Sequence, residues 1–253
     1  MNIFITSLLK IINNPDIRNI DYTIAYYLLE NYDQIPSMTV QEISEACFVS
    51  VSTLNRFFKT FGFKKYVLIK KLMVAHKSIR LDQLKERVNN KNSDQVELFL
   101  KTVLNQEDYG IITSNKAVKN CCDMIEKCNR IMLIGSNEIM DSLLRFQCDL
   151  TVMNKLVIQN SIYDNNYIEP KVNDLVFFFS MTGRIFELQF PKINESISKN
   201  KRLIYLGYHN YYAMNSLYLK VPNYLDEAVE NMIVDHYFQK ITYTYYKDYY
   251  DIN

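Results

Sequence analysis

The sequence predicts two domains, an all-helical N-terminal one and a C-terminal α/β one built on a five-stranded parallel sheet. Three observations carry this. Residues 1–76 hold successive helical apolar periods punctuated by cap and stop signals. Beyond Asp94, five short and continuous apolar runs appear, most of them separated by helix-length segments, the pattern of parallel strands covered on both faces. Charge, finally, is distributed very unevenly along the chain. At 253 residues there is room for two domains, given roughly 150 residues for each.

Taken in order, Ile3, Leu8, Leu9, Ile11 and Ile12 outline a first helix, and Ile24, Tyr27, Leu28 and Asn31 the face of a second, closed by Pro36 and Ser37. Thr39 with Glu42 then reads as a capping box, hydroxyl and carboxylate each satisfying an N–H at the start of a third helix. That helix is short, Val40 to Cys47, and a tight break follows. Ser50 can cap a fourth through Phe61, which Gly62 terminates. A fifth starts near Lys64, and the chain turns polar from Ser78, ending in a linker around Asn89–Ser93. Residues 94–105 and 115–128 read as helices, and the strands as Arg130–Gly135, Lys155–Gln159, Asp174–Ser180, Arg202–Gly207 and Leu217–Val221. Strands alternating with helices imply a doubly wound sheet, with ligands at the carboxyl ends of its strands. The expected division is 1–76, a helical linker at 77–107, and 108–253.

Composition narrows the function. Apolar residues at 48 % and charged ones at 23 % exclude wholesale disorder. No apolar run approaches the ~18 residues of a bilayer span, and the N-terminus lacks a basic leader and a small-residue cleavage site. Five cysteines without a CxxC pair read as reduced thiols in a cytoplasmic protein. Five glycines disfavour an enzyme built on several glycine-rich loops. His76, His209 and His236 stand apart, with no metal-ligand spacing, and Cys121, Cys122 and Cys128 read as buried small hydrophobes. No metal or cofactor is expected. The tyrosine-rich C-terminal segment reads as helix packing or an interface, and without a basic face it does not read as membrane-binding.

The net charge of +1 conceals the segregation. Between Ala46 and Leu81 there is no acidic residue, yet Arg56, Lys59, Lys64, Lys65, Lys70, Lys71, Lys77 and Arg80 give a local charge of +8. Removing these eight from the 29 basic residues leaves 21 against 28 acidic ones, a net of −7 elsewhere. Such asymmetry points to a polyanion-binding module joined to something else. Two short capped helices on a tight turn inside that basic zone describe a helix-turn-helix, with Val40, Ile43, Val49, Leu54 and Phe57 locking the pair. The second helix is then free to enter a major groove. Ser50, Ser52, Thr53, Asn55, Arg56, Lys59, Lys64 and Lys65 are the expected contacts to phosphates or base edges of double-stranded DNA.

The run from Thr39 to Lys70 resembles the N-terminal domain of the RpiR-type transcription regulators, in Val49-Ser50, Thr53, Arg56-Phe57 and Phe61-Gly62-Phe63. Phe48 departs from the small or turn-favouring residue that precedes the Val-Ser pair in that family. The resemblance implies a following sugar isomerase (SIS) domain that senses phosphosugars and dimerises, controlling genes of sugar metabolism. Residues 108–253 are similar in layout. RIMLIGSNEIMDSLLRFQCDL resembles its first strand, glycine turn and helix, DLVFFFSMTGRIFEL its phosphate loop, and MIVDHYFQKI its last helix.

The phosphate loop also has a physical rationale, since a strand ending in hydroxyls and glycine at a helix start offers N–H groups to an anion. A plain turn capped by Thr182 fits the same residues. The expected effector contacts are Ser136, Asn137, Ser180, Thr182, Gly183 and Arg184. The family pattern is eroded, however. Ile185 stands where the loop's final Thr is expected, Ile139 replaces a Ser, and Glu138 adds a negative charge near the expected phosphate. Glu227 and Glu230, at the start of the last helix, read as helix-end charges or ligand contacts. The leading reading is a non-enzymatic regulator, a homodimer or dimer of dimers, with a degenerate phosphosugar-sensing domain that answers to a phosphosugar or another small anion. A SIS isomerase with a helical extension and a ligand-independent DNA-binding dimer are the alternatives.

Overall fold

The computed structural model describes residues 3–14, 16, 19–90, 95–135, 137–162, 167–184, 202–210, 216–224 and 226–251. Five helices open the chain: α1 (Ile3–Asn13), α2 (Ile20–Glu30), α3 (Val40–Ala46), α4 (Val51–Thr60) and α5 (Tyr66–Asn89). Their boundaries follow the sequence signals closely. Asn19 accepts the Asp21 N–H at 2.8 Å to cap α2, and the Thr39–Glu42 capping box forms in full. Ser50 Oγ accepts the Thr53 N–H at 3.0 Å to cap α4, and Gly62, at φ +83°, ends it in the left-handed conformation glycine tolerates. The fifth helix and the first part of the expected helical linker are one unbroken helix of 24 residues, Tyr66–Asn89. The expected linker is therefore, in its first part, the same rod that closes the helical domain.

Three further helices, α6 (Gln95–Val103), α7 (Gln106–Ile112) and α8 (Asn115–Glu126), lead into the sheet. Its strands are β1 (Arg130–Gly135), β2 (Leu156–Ser161), β3 (Asp174–Phe179), β4 (Leu203–Gly207) and β5 (Ser216–Lys220), all parallel in the order β2-β1-β3-β4-β5. The first four are buried along their whole length, which is why they read as unbroken apolar runs. After β1 the crossover is split into α9 (Asn137–Ser142) and α10 (Leu144–Val152). The last helix, α11 (Glu227–Tyr245), continues into a π-helical turn at Tyr246–Tyr250.

The apolar face of α11 corrects one inference. Its wealth of large apolar residues suggests an interface with a second chain, but Ile233, Tyr237, Phe238, Ile241 and Tyr245 are all buried within this one. Phe238 sits among Phe146, Phe177 and Phe179 with ring centroids 4.7–5.8 Å apart, while Met232 on the same helix is exposed. The helix spends its surface on α8 and α10.

Contacts also cross the expected division between helical and α/β parts. Helix α1 packs on β2 and α10. The amides of Asn13 and Gln147 pair reciprocally at 2.8–2.9 Å, and Asn13 Oδ1 also accepts the Gln159 N–H at 3.1 Å. From α5, Arg80 reaches the almost fully buried carboxylate of Asp149 on α10. At the start of the sheet, Arg130 and Asp174 form a second buried pair at 2.5 Å, linking the first residues of β1 and β3. The Asp174 carboxylate also accepts the Lys171 N–H at 2.7 Å, on the same Oδ2 that takes the Arg130 guanidinium.

Candidate nucleic-acid interface and strand-end loop

The short helices α3 and α4 meet across a turn of Cys47, Phe48, Val49 and Ser50. Ile43, Leu54, Phe57 and Phe58 are buried and hold the pair together, with Val40 and Val49 half-buried beside them. This leaves the outer face of α4 to solvent. Ser52, Arg56 and Lys59 are exposed along it, Thr53 and Asn55 half-exposed, and Ser50, Lys64 and Lys65 flank it in the open. Ser50 and Thr53 serve each other first, their hydroxyls 2.9 Å apart over the cap, while Ser52 lies between them in the first turn and Asn55 and Arg56 belong to the next.

The electrostatics sharpen the picture. Of the eight cations between Ala46 and Leu81, two are committed elsewhere: Lys77 pairs with Asp33 at 2.6 Å and Arg80 with Asp149. Among the described residues Arg56, Lys59, Lys64, Lys65, Lys70 and Lys71 form no ion pair, although the Lys70 ammonium lies 5.2 Å above the Tyr66 ring. Unpaired cations on and after a capped helix whose side chains donate and accept hydrogen bonds are what a phosphate backbone and a base edge require.

The strand-end loop is less open. Gly135 closes β1, but a Cβ there would lie 2.8 Å from the Phe179 Cβ, so close strand packing suffices to explain the glycine. Ser180 is held by its backbone, its N–H on Leu206 and its carbonyl accepting the Tyr205 hydroxyl at 2.6 Å. Gly183 adopts φ +74°, and the Arg184 N–H approaches Thr182 Oγ1 at 3.4 Å, the geometry of a capped turn. Arg184 is exposed. Asn137 opens α9, whereas Ser136 and the segment from Ile185 to Lys201 lie outside the described residues. Glu230 is occupied, accepting the Tyr208 hydroxyl at 2.6 Å and the Tyr224 N–H at 3.2 Å. That carboxylate, together with burial, pushes the Tyr208 hydroxyl well up from its usual range.

The remaining candidates fall into the core. All five cysteines are buried and unpaired, and burial pushes the Cys47, Cys128 and Cys148 thiols up to about 11. They are therefore uncharged at neutral pH. His236 is buried, 3.8 Å from the Glu97 carboxylate. Among the described residues no cluster of three or more His, Cys, Asp or Glu could hold a metal, and no helix is long and apolar enough to cross a membrane. Two features escaped the sequence reading: the Arg80–Asp149 link, whose partners lie 69 positions apart, and the degree to which Phe48 stands in the open.

A capped helix presented over a tight turn, with unpaired cations around it, makes this a helix-turn-helix DNA-binding protein. Residues 7–75 match the family described as helix-turn-helix domain, rpiR family. No curated protein matches the chain. Among solved structures, the Vibrio vulnificus NanR protein complexed with ManNAc-6P is similar over 97 % of this chain and 92 % of that one, at 14 % identity and a TM-score of 0.44. A hypothetical protein from Methanococcus jannaschii, whose structure was taken to infer a 3-hexulose-6-phosphate isomerase, is similar over 68 % of this chain and 86 % of that one, at 13 % identity and a TM-score of 0.37. Likenesses this distant carry no weight for function.

Proposed function

We propose that this protein is a cytoplasmic transcription regulator that reads an operator as a homodimer or dimer of dimers and controls genes of sugar metabolism. Its C-terminal α/β domain is taken as SIS-like, with an effector or dimerisation role and no enzymatic activity. The observation that carries the DNA reading is the capped helix α4 with six cations, on it and in the stretch to Lys71, that form no ion pair among the described residues. One helix-turn-helix covers too little DNA for operator-level affinity, and two-fold symmetry with half-sites whole turns apart is the usual answer. With about half of the six cations in each of two subunits neutralising phosphates, log K should fall with log salt at a slope of roughly −5. A duplex recovered by the protein from a random pool supplies the probe. Affinity that barely changes with salt would refute the reading.

For the effector, the proposed contacts are Ser136, Asn137, Ser180, Thr182, Gly183 and Arg184, at the ends of β1 and β3. The isoleucines at 139 and 185 and the carboxylate at 138 support weak phosphosugar binding, each lost hydrogen bond to a charged group costing about 1.5–3 kcal/mol. Calorimetry on the unmodified protein should find millimolar affinity or none, and the triple variant Glu138→Ala, Ile139→Ser, Ile185→Thr should bind more tightly. Micromolar phosphosugar binding by the unmodified protein would show an intact sensor instead.

A further inference from the structure

Four described residues have φ in the left-handed region: Gly62, Gly183, Asn154 and Phe48. Glycine pays nothing there and asparagine little, but a bulky aromatic residue is a true outlier. Phe48, at φ +55°, occupies the turn between α3 and α4 and ends α3 by donating its N–H to the Glu45 carbonyl at 3.0 Å. Its ring gains nothing in return. The residue is 96 % exposed, more than Val172 at 80 % or Leu98 at 64 %. A residue that strains the backbone and leaves its whole ring in water offers the isolated fold neither packing nor conformational ease. Strain of this kind points to function.

Its position indicates the partner. Phe48 stands two residues before Ser50, the cap of α4, and is exposed, as are Ser52 and Arg56 on that helix. After Glu45, whose carboxylate accepts the Gln41 amide at 2.8 Å, no acidic residue occurs up to Leu81, so the chain that follows the turn suits a polyanion. We infer that Phe48 is a DNA contact, its ring packing on a deoxyribose, a thymine methyl or an exposed base at the edge of the groove that α4 enters. The inference rests on the DNA-binding reading above. It makes the ring an apolar, charge-independent part of an interface otherwise built from cations.

The test uses the full-length chain, the selected duplex, and three variants. Phe48→Gly and Phe48→Asn remove the ring and suit the left-handed backbone, while Phe48→Tyr keeps the ring. Both ring-less variants should melt a few degrees higher than the unmodified protein, because the strain is relieved. Both should nevertheless bind the duplex about tenfold more weakly, with the slope against salt unchanged because no charge has been removed. Phe48→Tyr should bind within about twofold of the parent. Phe48→Asn binding as tightly as the unmodified protein would overturn the proposal, even if Phe48→Gly alone lost affinity, since turn rigidity would then be the cause. Binding by all three variants equal to that of the parent would overturn it as well. Should the unmodified protein bind no duplex at any salt concentration, the DNA reading itself would fall, and this proposal with it.

Discussion

The helical N-terminal region and the α/β region solve the same problem, fixing a surface in place, by opposite means. In the first, the starts of α2, α3 and α4 are each set by a residue within three positions: Asn19 on Asp21, Thr39 with Glu42, Ser50 on Thr53. In the second, and where it meets the first, the decisive contacts join residues far apart, Arg130 with Asp174 across 44 positions and Asn13 with Gln147 across 134. Local devices of the first kind are individually modest and leave side chains free for a partner. Long-range devices of the second kind are stronger and use up the groups that make them. A recognition surface thus survives where structure is locally specified, while at the strand ends Gly135, Ser180 and Glu230 are engaged in holding the fold.

The contrast breaks if the long-range pairs prove dispensable. Asp174→Ala leaves the Arg130 guanidinium buried beside no carboxylate, with side-chain exposures of 8 % and 3 % for the two partners. The expected loss is about 3–5 kcal/mol in urea unfolding. The double variant Arg130→Met, Asp174→Leu should recover most of it, since removing both charges is far cheaper than stranding one. A loss under about 1 kcal/mol for Asp174→Ala would show that the pair does not organise the sheet.

On the helical side, the larger effect should fall on binding rather than on folding. Arg56→Ala should cost about 1–3 kcal/mol and relax preference at one position of the operator, whereas Lys64→Ala should weaken all sequences alike and reduce the salt slope by about 1. Binding-site selection together with salt titration separates the two. The same consensus and equal losses for both variants would show that Arg56 does not read a base.

Acidity probes the seam between the regions. Burial, with help from the Arg80 charge, holds the His76 imidazole down at about 4 from its usual 6.5, and the Tyr32 hydroxyl lies 2.8 Å from Nδ1. The unfolded chain therefore takes up this proton first. Stability from this group is complete above pH ~6.5 and lost as pH falls toward 4, on the order of 1–2 kcal/mol after solvent screening. Unfolding measured from pH 7 to 4 should be flatter in His76→Gln than in the parent.

The smallest effect is expected at a cap. Thr39→Ala removes the acceptor for the Glu42 N–H and half of the capping box, costing about 1 kcal/mol. Because α3 only supports α4, DNA affinity measured well below the melting temperature should change less than twofold. A large affinity loss would mean that the cap positions the recognition helix directly.

Much of this was legible in the sequence because its causes are local. Cap residues, Gly62 and the apolar periods set α3 and α4 nearly to the residue, and β1 was placed to the residue because a strand buried on both faces shows itself as a run. Helix up to Asn89 was legible, but not that it continues α5 unbroken, nor that it packs on α10 through Arg80 and Asp149. The fate of α11 was hidden for the same reason. An apolar helix face says only that it will be covered, never by what, and here α8, α10 and the phenylalanines of β3 cover it.

The sequence by itself determined the chain's two parts, the helix-turn-helix with its cations, and the number and direction of the strands, since each depends on neighbours within about one helical turn or on burial that any covered strand shares. Tertiary structure alone decided which cations remain unpaired, which glycines answer to packing and not to a ligand, and that Phe48 stands in water on a strained backbone. Those outcomes depend on which distant atoms arrive alongside, and a contact between positions 80 and 149 has no signature at either one.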